Sequence, residues 1–180
     1  LELKNVSEIH IVAVDNEVKE LFWKIEKNFN ESPEIIAVNL EKEKQTITKI
    51  ESTKSYFASN SLPKKYLYEP NASLMKSGGF EAVSELFAVG KLHQHSHLYT
   101  SDELIDFPGR KFQIDSIVPF QKKDISQHIQ GKKMNVSTRN FPIKPEEIKK
   151  KYKITDGGTV FAFFTTNMNN EKIILLCTKL

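Results

Sequence analysis

Cysteine is nearly absent from this chain: its 180 residues contain one, Cys177. A lone thiol closes no disulfide within the chain, so the fold has to be held by its core, and a chain of this length buries enough apolar surface to do so. Cys177 lies in the apolar run IILLCTKL, where a free thiol packs as a small hydrophobe, and a reducing, cytoplasmic setting is expected. Long hydrophobic runs are missing as well. The longest, such as residues 173–177, fall far short of the ~20 residues a membrane-spanning helix needs, and no charged-then-apolar leader opens the sequence. No membrane partner is expected. The sequence starts at Leu1 rather than Met and is read as a portion of a larger protein.

Glycine is sparse too, with seven residues, and none of them builds a G-x-G loop closing a strand. Backbone amides arranged to cradle a phosphate or a cofactor carboxylate are therefore not expected in this chain, and no cofactor is assigned to it. What the sequence does have is uneven charge. The net charge is +3, but residues 1–60 hold 8 lysines against 11 acids, whereas residues 121–153 hold 10 basic residues against 3 acidic ones. That window is a basic pole. It is the electrostatic footprint of a surface that meets phosphates, and equally that of a solvated lysine-rich face.

Hydrophobic periodicity sketches the elements. Residues 8–14, EIHIVAV, read as a strand; Val18, Leu21, Phe22 and Ile25 recur at helical spacing; residues 34–40, EIIAVNL, read as a second strand. This strand-helix-strand unit suits the edge of an α/β sheet whose preceding strands lie elsewhere. The segment 41–65 turns polar, with KQTITKI a strand and the rest a loop or linker, and the main boundary is placed there. A helix follows Asn71 or Ser73 as cap and is broken by Gly78-Gly79; a second covers 80–89, with Phe80, Val83, Leu86 and Phe87 on one side; HLYTS is a short extended piece. From residue 109 the order is strand KFQIDSIVPF, helix KKDISQHI, strand KMNVSTRN, helix PEEIKKKY, and strands TVFAFFTT and KIILLCTK joined at NMNN as a hairpin. Burying the apolar sides of these elements gives an α+β sandwich, βαβαββ in order, with helices on one face of the sheet.

Candidate chemistry is thin. His93, His95 and His97 at i, i+2, i+4 would share one face of a strand with the outer pair roughly 13 Å apart, too far for one tetrahedral ion. A polar loop with one packed or hydrogen-bonded histidine is the simpler reading, and no metal is assigned. Ser101-Asp102-Glu103 with Asp106 places carboxylates near a hydroxyl, but TSDE before an apolar residue reads as a helix start capped by Thr100 or Ser101. Asp156-Gly157-Gly158 is a turn into a strand. The basic window carries more: Lys122 and Lys123 open one helix, Lys132 and Lys133 open a strand, Arg139-Asn140 close it, and Lys149, Lys150, Lys151 and Lys153 line the end of the second helix. Arg139 suits a bidentate grip on phosphate, Asn140 a contact to sugar or base, and the lysines act as point charges. The competing reading is that the late-helix lysines complement the helix dipole and keep the domain soluble.

The segment YLYEPNASLMKSGGF at 66–80, read with RNFP at 139–142 and DGG at 156–158, resembles the C-terminal part of bacterial class I S-adenosylmethionine-dependent methyltransferases that end in a THUMP-like domain. The likeness runs from about residue 8 onward. It implies the tail of a Rossmann-like α/β sheet over 1–60, a small ferredoxin-like linking module over 61–108 and a THUMP-like βαβαββ domain over 109–180. It further implies a parent enzyme that uses S-adenosylmethionine, an intramolecular contact with the missing methyltransferase domain, and structured RNA, tRNA or rRNA, positioned by Lys122, Lys123, Lys132, Lys133, Arg139, Asn140, Lys149, Lys150 and Lys151. Because the cofactor loop and any D-P-P-type or cysteine-based methyl-transfer motif are missing from these residues, the chain by itself is expected not to methylate. A protein-docking module that binds no nucleic acid is the alternative, and a metal-dependent enzyme at the histidine triplet a weaker third.

Overall fold

Residues 3–180 are described by a computed structural model of mixed α and β structure. Eleven strands and four helices succeed one another among them: β1 Val6–Val14, β2 Glu17–Ile25, β3 Glu34–Leu40, β4 Gln45–Glu51, β5 Tyr66–Pro70, α1 Ala72–Ser77, α2 Phe80–Leu86, β6 Gly90–Lys91, β7 Tyr99–Ser101, β8 Gly109–Pro119, α3 Lys122–His128, β9 Asn135–Arg139, α4 Pro145–Tyr152, β10 Val160–Thr166 and β11 Lys172–Lys179. They form two compact units, residues 1–58 with 70–88, and residues 59–69 with 89–180. Residues 61–108 therefore lend backbone to both. None of the helices among the described residues is long and apolar enough to cross a membrane.

The first unit is a four-stranded sheet in the order β2-β1-β3-β4, with β1 and β3 parallel and both edge strands antiparallel to their neighbours. One expectation fails here. The segment expected to be a helix at 18–25 is strand β2, hairpinned onto β1 with Val14 opposite Glu17. The two intervening residues, Asp15 and Asn16, both take positive φ, at 48° and 62°. That is the requirement of the tight hairpin turn whose twist matches its strands, and Asp and Asn meet it at low cost. Once the turn forms, the β-branched and aromatic residues of VKELFWKI follow the sheet, although their apolar spacing also fits a helix. Ile11, Ala37 and Ile50 are buried on one face of this sheet, over which α1 packs.

Helix α1 starts where the sequence placed it. Asn71 is the N-cap, its Oδ1 accepting from the Leu74 amide at 3.0 Å and from the Ser73 hydroxyl at 2.8 Å, and Gly78 ends the helix in the left-handed region at φ 73°. Gly79 then lies so close to the Ile50 side chain that an added Cβ would meet its Cδ1 at 2.4 Å.

The second unit is a seven-stranded sheet in the order β6-β7-β5-β8-β11-β10-β9. Its last four strands with α3 and α4 realise the expected βαβαββ order, with β9 parallel to β10 and β11 antiparallel to both β10 and β8. Alternation divides the side chains of β10 and β11 between two cores. Ala162, Phe164 and Ile174 pack with Ile125, Ile129 and Ile148 from the helix layer, whereas Phe163, Leu175 and Cys177 pack with Leu67, Leu92, Leu98 and Phe112. The first core is tied by Phe120 meeting Phe141 edge-on at 4.9 Å, the second by Phe112 meeting Phe163 at 4.9 Å. The TSDE segment differs from expectation. Residues 99–101 are strand β7, paired with β5, and no helix follows, because the buried Tyr68 hydroxyl bonds Ser101 Oγ and the Glu103 carbonyl and holds the chain in a turn. The DGG segment is the expected turn, with Gly157 at φ 103° and Gly158 at φ 80°.

Replacing Asn71 by Ala removes the cap of α1 and is expected to lower stability by about 1 kcal/mol in urea denaturation. Burial pushes the Cys177 thiol up, with the nearby Asp115 charge adding to it, so at mildly alkaline pH an alkylating reagent modifies it only after denaturant is added.

Candidate nucleic-acid interface

The polar centre of the second unit is a carboxylate held by two arginines. Glu69, at the end of β5, is 5 % exposed at its side chain. Arg110, at the start of β8, donates from Nε to Glu69 Oε2 at 2.6 Å and brings Nη2 onto the same oxygen; Arg139, at the end of β9, brings Nη2 onto Oε1. Strands β5 and β9 are separated by β8, β11 and β10 in the sheet order. The sheet must therefore coil strongly for a glutamate on one to reach an arginine on the other. Each oxygen of the buried carboxylate meets a guanidinium, the arrangement that makes an ionised acid tolerable away from water.

Arg139 is thus differently employed from the phosphate grip read in the sequence. Its Nη2 is on Glu69, its Nη1 donates to the Thr138 carbonyl at 2.9 Å, and its Nε is buried without a hydrogen-bond partner among the described residues. Asn140 is engaged as well. It takes φ 51°, its carbonyl accepts from Thr166 Oγ1 at 2.7 Å, and its Nδ2 donates to His93 Nδ1 at 3.0 Å. The His95 amide donates to the same Nδ1 at 3.1 Å, which assigns the ring proton to Nε2, facing Asn170 Oδ1 at 3.2 Å. Of the histidine triplet, one member is therefore a buried, hydrogen-bonded residue. His95 lies against it with ring centroids 5.5 Å apart and the rings tilted by 51°, His97 sits at φ 51°, and no group of three or more His, Cys, Asp or Glu side chains that could hold an ion occurs among the described residues.

The lysines lie elsewhere in this unit. Amide-to-carbonyl bonds from Gly131 to Tyr152, Thr155 to Lys132 and Met134 to Thr155 hold residues 131–134 beside the end of α4. Lys132 and Lys133 therefore come next to the turn that carries Lys149, Lys150 and Lys151. Lys149 pairs with Asp156 at 2.9 Å, which neutralises part of the basic run. Lys150 and Lys151 are exposed, and Lys151 lies 5.4 Å over the Tyr152 ring. Three basic residues in the last turn complement the helix dipole in either functional reading.

Between α3 and α4 the surface is concave. A cleft of about 500 Å³ is lined there by Lys122, Gln130 and Lys151 together with Phe120, Ile125 and Tyr152. Lys122 and Lys151, 29 positions apart in sequence, meet at it because the start of α3 and the end of α4 border the same hollow. Lys123 stays on the exposed surface at the start of α3. The nine residues named from the sequence therefore divide in two. Seven lysines lie on and beside the helix layer, and Arg139 with Asn140 belongs to the polar centre at the end of β9. Sequence reasoning missed Glu69 and Arg110. Their signal was an acid placed inside the apolar strand YLYEP, which requires a buried cationic partner.

Comparisons with known proteins agree with this architecture. Residues 66–108 match a sequence family described as a ferredoxin-like domain, and residues 109–179 match one described as THUMP domain-like. The chain thus combines a ferredoxin-like and a THUMP-like domain in a mixed α+β fold. A crystal structure of a "putative methyltransferase" from Porphyromonas gingivalis W83 is similar over 99 % of this chain at 35 % identity with a TM-score of 0.86. The chain spans 47 % of that protein's length. No curated protein matches it in sequence.

Replacing Glu69 by Gln leaves two guanidinium groups without their counter-charge and is expected to lower stability by about 3 kcal/mol, whereas Lys123→Ala changes it by less than about 0.5 kcal/mol. Chemical denaturation of the two variants measures both.

Proposed function

We propose that this chain is the substrate-positioning portion of an S-adenosylmethionine-dependent RNA methyltransferase, in which the THUMP-like domain engages structured RNA such as tRNA or rRNA. The observation that carries the reading is the lysine-bearing surface of the helix layer. Lys122 and Lys151 converge over an aromatic-floored cleft, with Lys123, Lys132, Lys133 and Lys150 around it. Lysines presented as separate point charges suit a phosphate backbone followed by shape, and the aromatic rings beneath them are mostly committed to core packing. The likeness to a candidate methyltransferase supports placing this surface beside a methyl-transferring domain.

The residues present do not fit the methyl donor. Among the described residues of the first unit, β1 and β3 are the one parallel pair that could flank a cofactor crevice, and they lead into the Asp15-Asn16 turn and the 41–44 turn. Neither turn contains glycine or opens a helix N-terminus, so neither presents converging amides to a carboxylate or ribose. In this reading the donor is held by the remainder of a longer protein, and these residues orient the acceptor. Residues 1–60 then belong to the end of the methyltransferase sheet, and the protein works in the cytoplasm.

Fluorescence anisotropy with folded RNA over a salt series tests the role. Binding is expected to weaken linearly in log-log terms as salt rises, and the double variant Lys122→Ala with Lys151→Ala lowers the slope by about one for each phosphate no longer neutralised. Arg139→Ala is expected to act through stability, so its affinity loss tracks its unfolded fraction. Absence of binding at low salt for the folded wild-type chain overturns the RNA role and favours a docking module.

A further inference from the structure

Phe120 borders two hollows of matching composition. The α3–α4 cleft of about 500 Å³ joins the apolar surfaces of Phe120, Ile125 and Tyr152 to two uncharged polar side chains, Ser126 and Gln130, and its charges are Lys122 and Lys151. A second hollow, of about 470 Å³, joins Pro119, Phe120 and Ile173 to Gln121 and Asn170, and its charges are Lys172 and Glu171. Each therefore offers an apolar wall, two neutral hydrogen-bonding groups and an ammonium. Both volumes lie in the range of sites that enclose small organic groups.

The ring between them is held in place. Phe120 is half-buried; its amide donates to the Lys172 carbonyl at 3.0 Å, and the rings of Phe141, Phe164 and Tyr152 meet its own nearly perpendicularly at 4.9, 6.2 and 6.5 Å. A ring already fixed by three others loses little further freedom when a ligand arrives. The charges are available. Lys122 and Lys172 are exposed and form no ion pair among the described residues, and Lys151 rests over the Tyr152 ring rather than on a carboxylate. Glu171 opposes them, but its carboxylate already accepts from Asn167 Nδ2 at 2.7 Å. Three ammonium groups against one carboxylate favour an anion spread along both hollows.

A paired duplex keeps the faces of its bases stacked inside and offers a protein its phosphates and sugars, which leaves apolar walls uncovered. An unpaired nucleotide offers all that each hollow can use: a flat base face for the apolar wall, ribose and base-edge groups for the neutral polar side chains, and a phosphate for the lysine. One free nucleotide fills one hollow, whereas two hollows sharing a ring fit two linked nucleotides.

We infer that the two hollows are adjoining seats for two successive unpaired nucleotides of an RNA strand, with Phe120 reached from both and the phosphates met by Lys172, Lys122 and Lys151. The inference rests on the RNA-positioning reading and deepens it: the acceptor is gripped where its strand is unpaired, and Lys172 joins the surface. Seating a base by its face carries no sequence preference, because every base has one.

Fluorescence anisotropy on the full chain compares a blunt RNA duplex, the same duplex with a short unpaired tail, and a longer blunt duplex with as many phosphates as the tailed one. The tailed RNA is expected to bind at least ~10-fold more tightly than either blunt duplex. Ser126→Trp, which fills the α3–α4 cleft from an exposed helix position, and Lys172→Ala are each expected to cut that ratio at least ~3-fold, with circular dichroism confirming that both variants fold. A 2-aminopurine placed in the tail is expected to lose fluorescence on binding as it stacks. Equal affinity for the tailed and the longer blunt RNA, or a ratio that neither variant changes, overturns the seats and leaves the phosphate-directed RNA role standing. Adenosine monophosphate displacing the tailed RNA at the same concentration as a dinucleotide overturns the linked seats and assigns the hollows to a free nucleotide. Binding of none of the three RNAs at low salt removes the RNA role itself, and the seats with it.

Discussion

A carboxylate in an apolar strand cannot remain ionised without a partner, and Glu69 has two. Its oxygens hold Arg110 at the start of the neighbouring strand and Arg139 at the far edge of the sheet. The contact is possible only if the sheet coils until β5 and β9 approach, and that coiling wraps the strands around the core of Leu67, Phe112, Phe163 and Leu175. Hydrophobic burial supplies the driving force, but it is non-directional. The ion cluster selects one coiling among those the apolar pattern would accept. Arg139 on one side and the hydrogen-bonded set of Asn140, His93 and Asn170 on the other fix the loops at that end of the sheet.

This division of labour bears on where a ligand can be met. Residues with the most specific hydrogen-bonding geometry, Arg139 and Asn140, are engaged by other groups of the protein, and the remaining exposed positive charge of this region is carried largely by lysines. A surface of that kind attracts phosphate without reading bases. Under the function proposed above, it would position an acceptor whose identity is decided elsewhere. The first unit contributes differently, through a separate four-stranded sheet whose outer strand β2 exposes Phe22, Trp23 and Ile25 beside Glu20 and Lys24.

Much of the architecture was legible in the sequence. The βαβαββ order of the THUMP-like domain, the helix capped by Asn71 and ended at Gly78, and the glycine turn at 157–158 all rest on local signals: period, cap and positive φ. The failures also have local causes. In 17–25 the apolar residues Val18, Leu21, Phe22 and Ile25 satisfy a helical period, but the Asp15-Asn16 turn places the segment against β1, and pairing outweighs a weak propensity. At 100–103 a capping pattern was present, and the Tyr68 hydroxyl claimed the same groups from a strand more than 30 residues away.

Chain order, cap and turn chemistry, the basic excess of residues 121–153 and the unreactive setting of Cys177 were determined by the sequence itself, because each depends on neighbours within a few residues or on composition. Which charges meet was decided only by the tertiary structure. Lys122 faces Lys151 across the cleft between two helices, Lys149 is claimed by Asp156, and Arg139 is claimed by a glutamate 70 positions away. An ionic or hydrogen-bonding partner is chosen by proximity in space and by the cost of leaving a buried charge unpaired, and neither quantity is written in the order of residues along the chain.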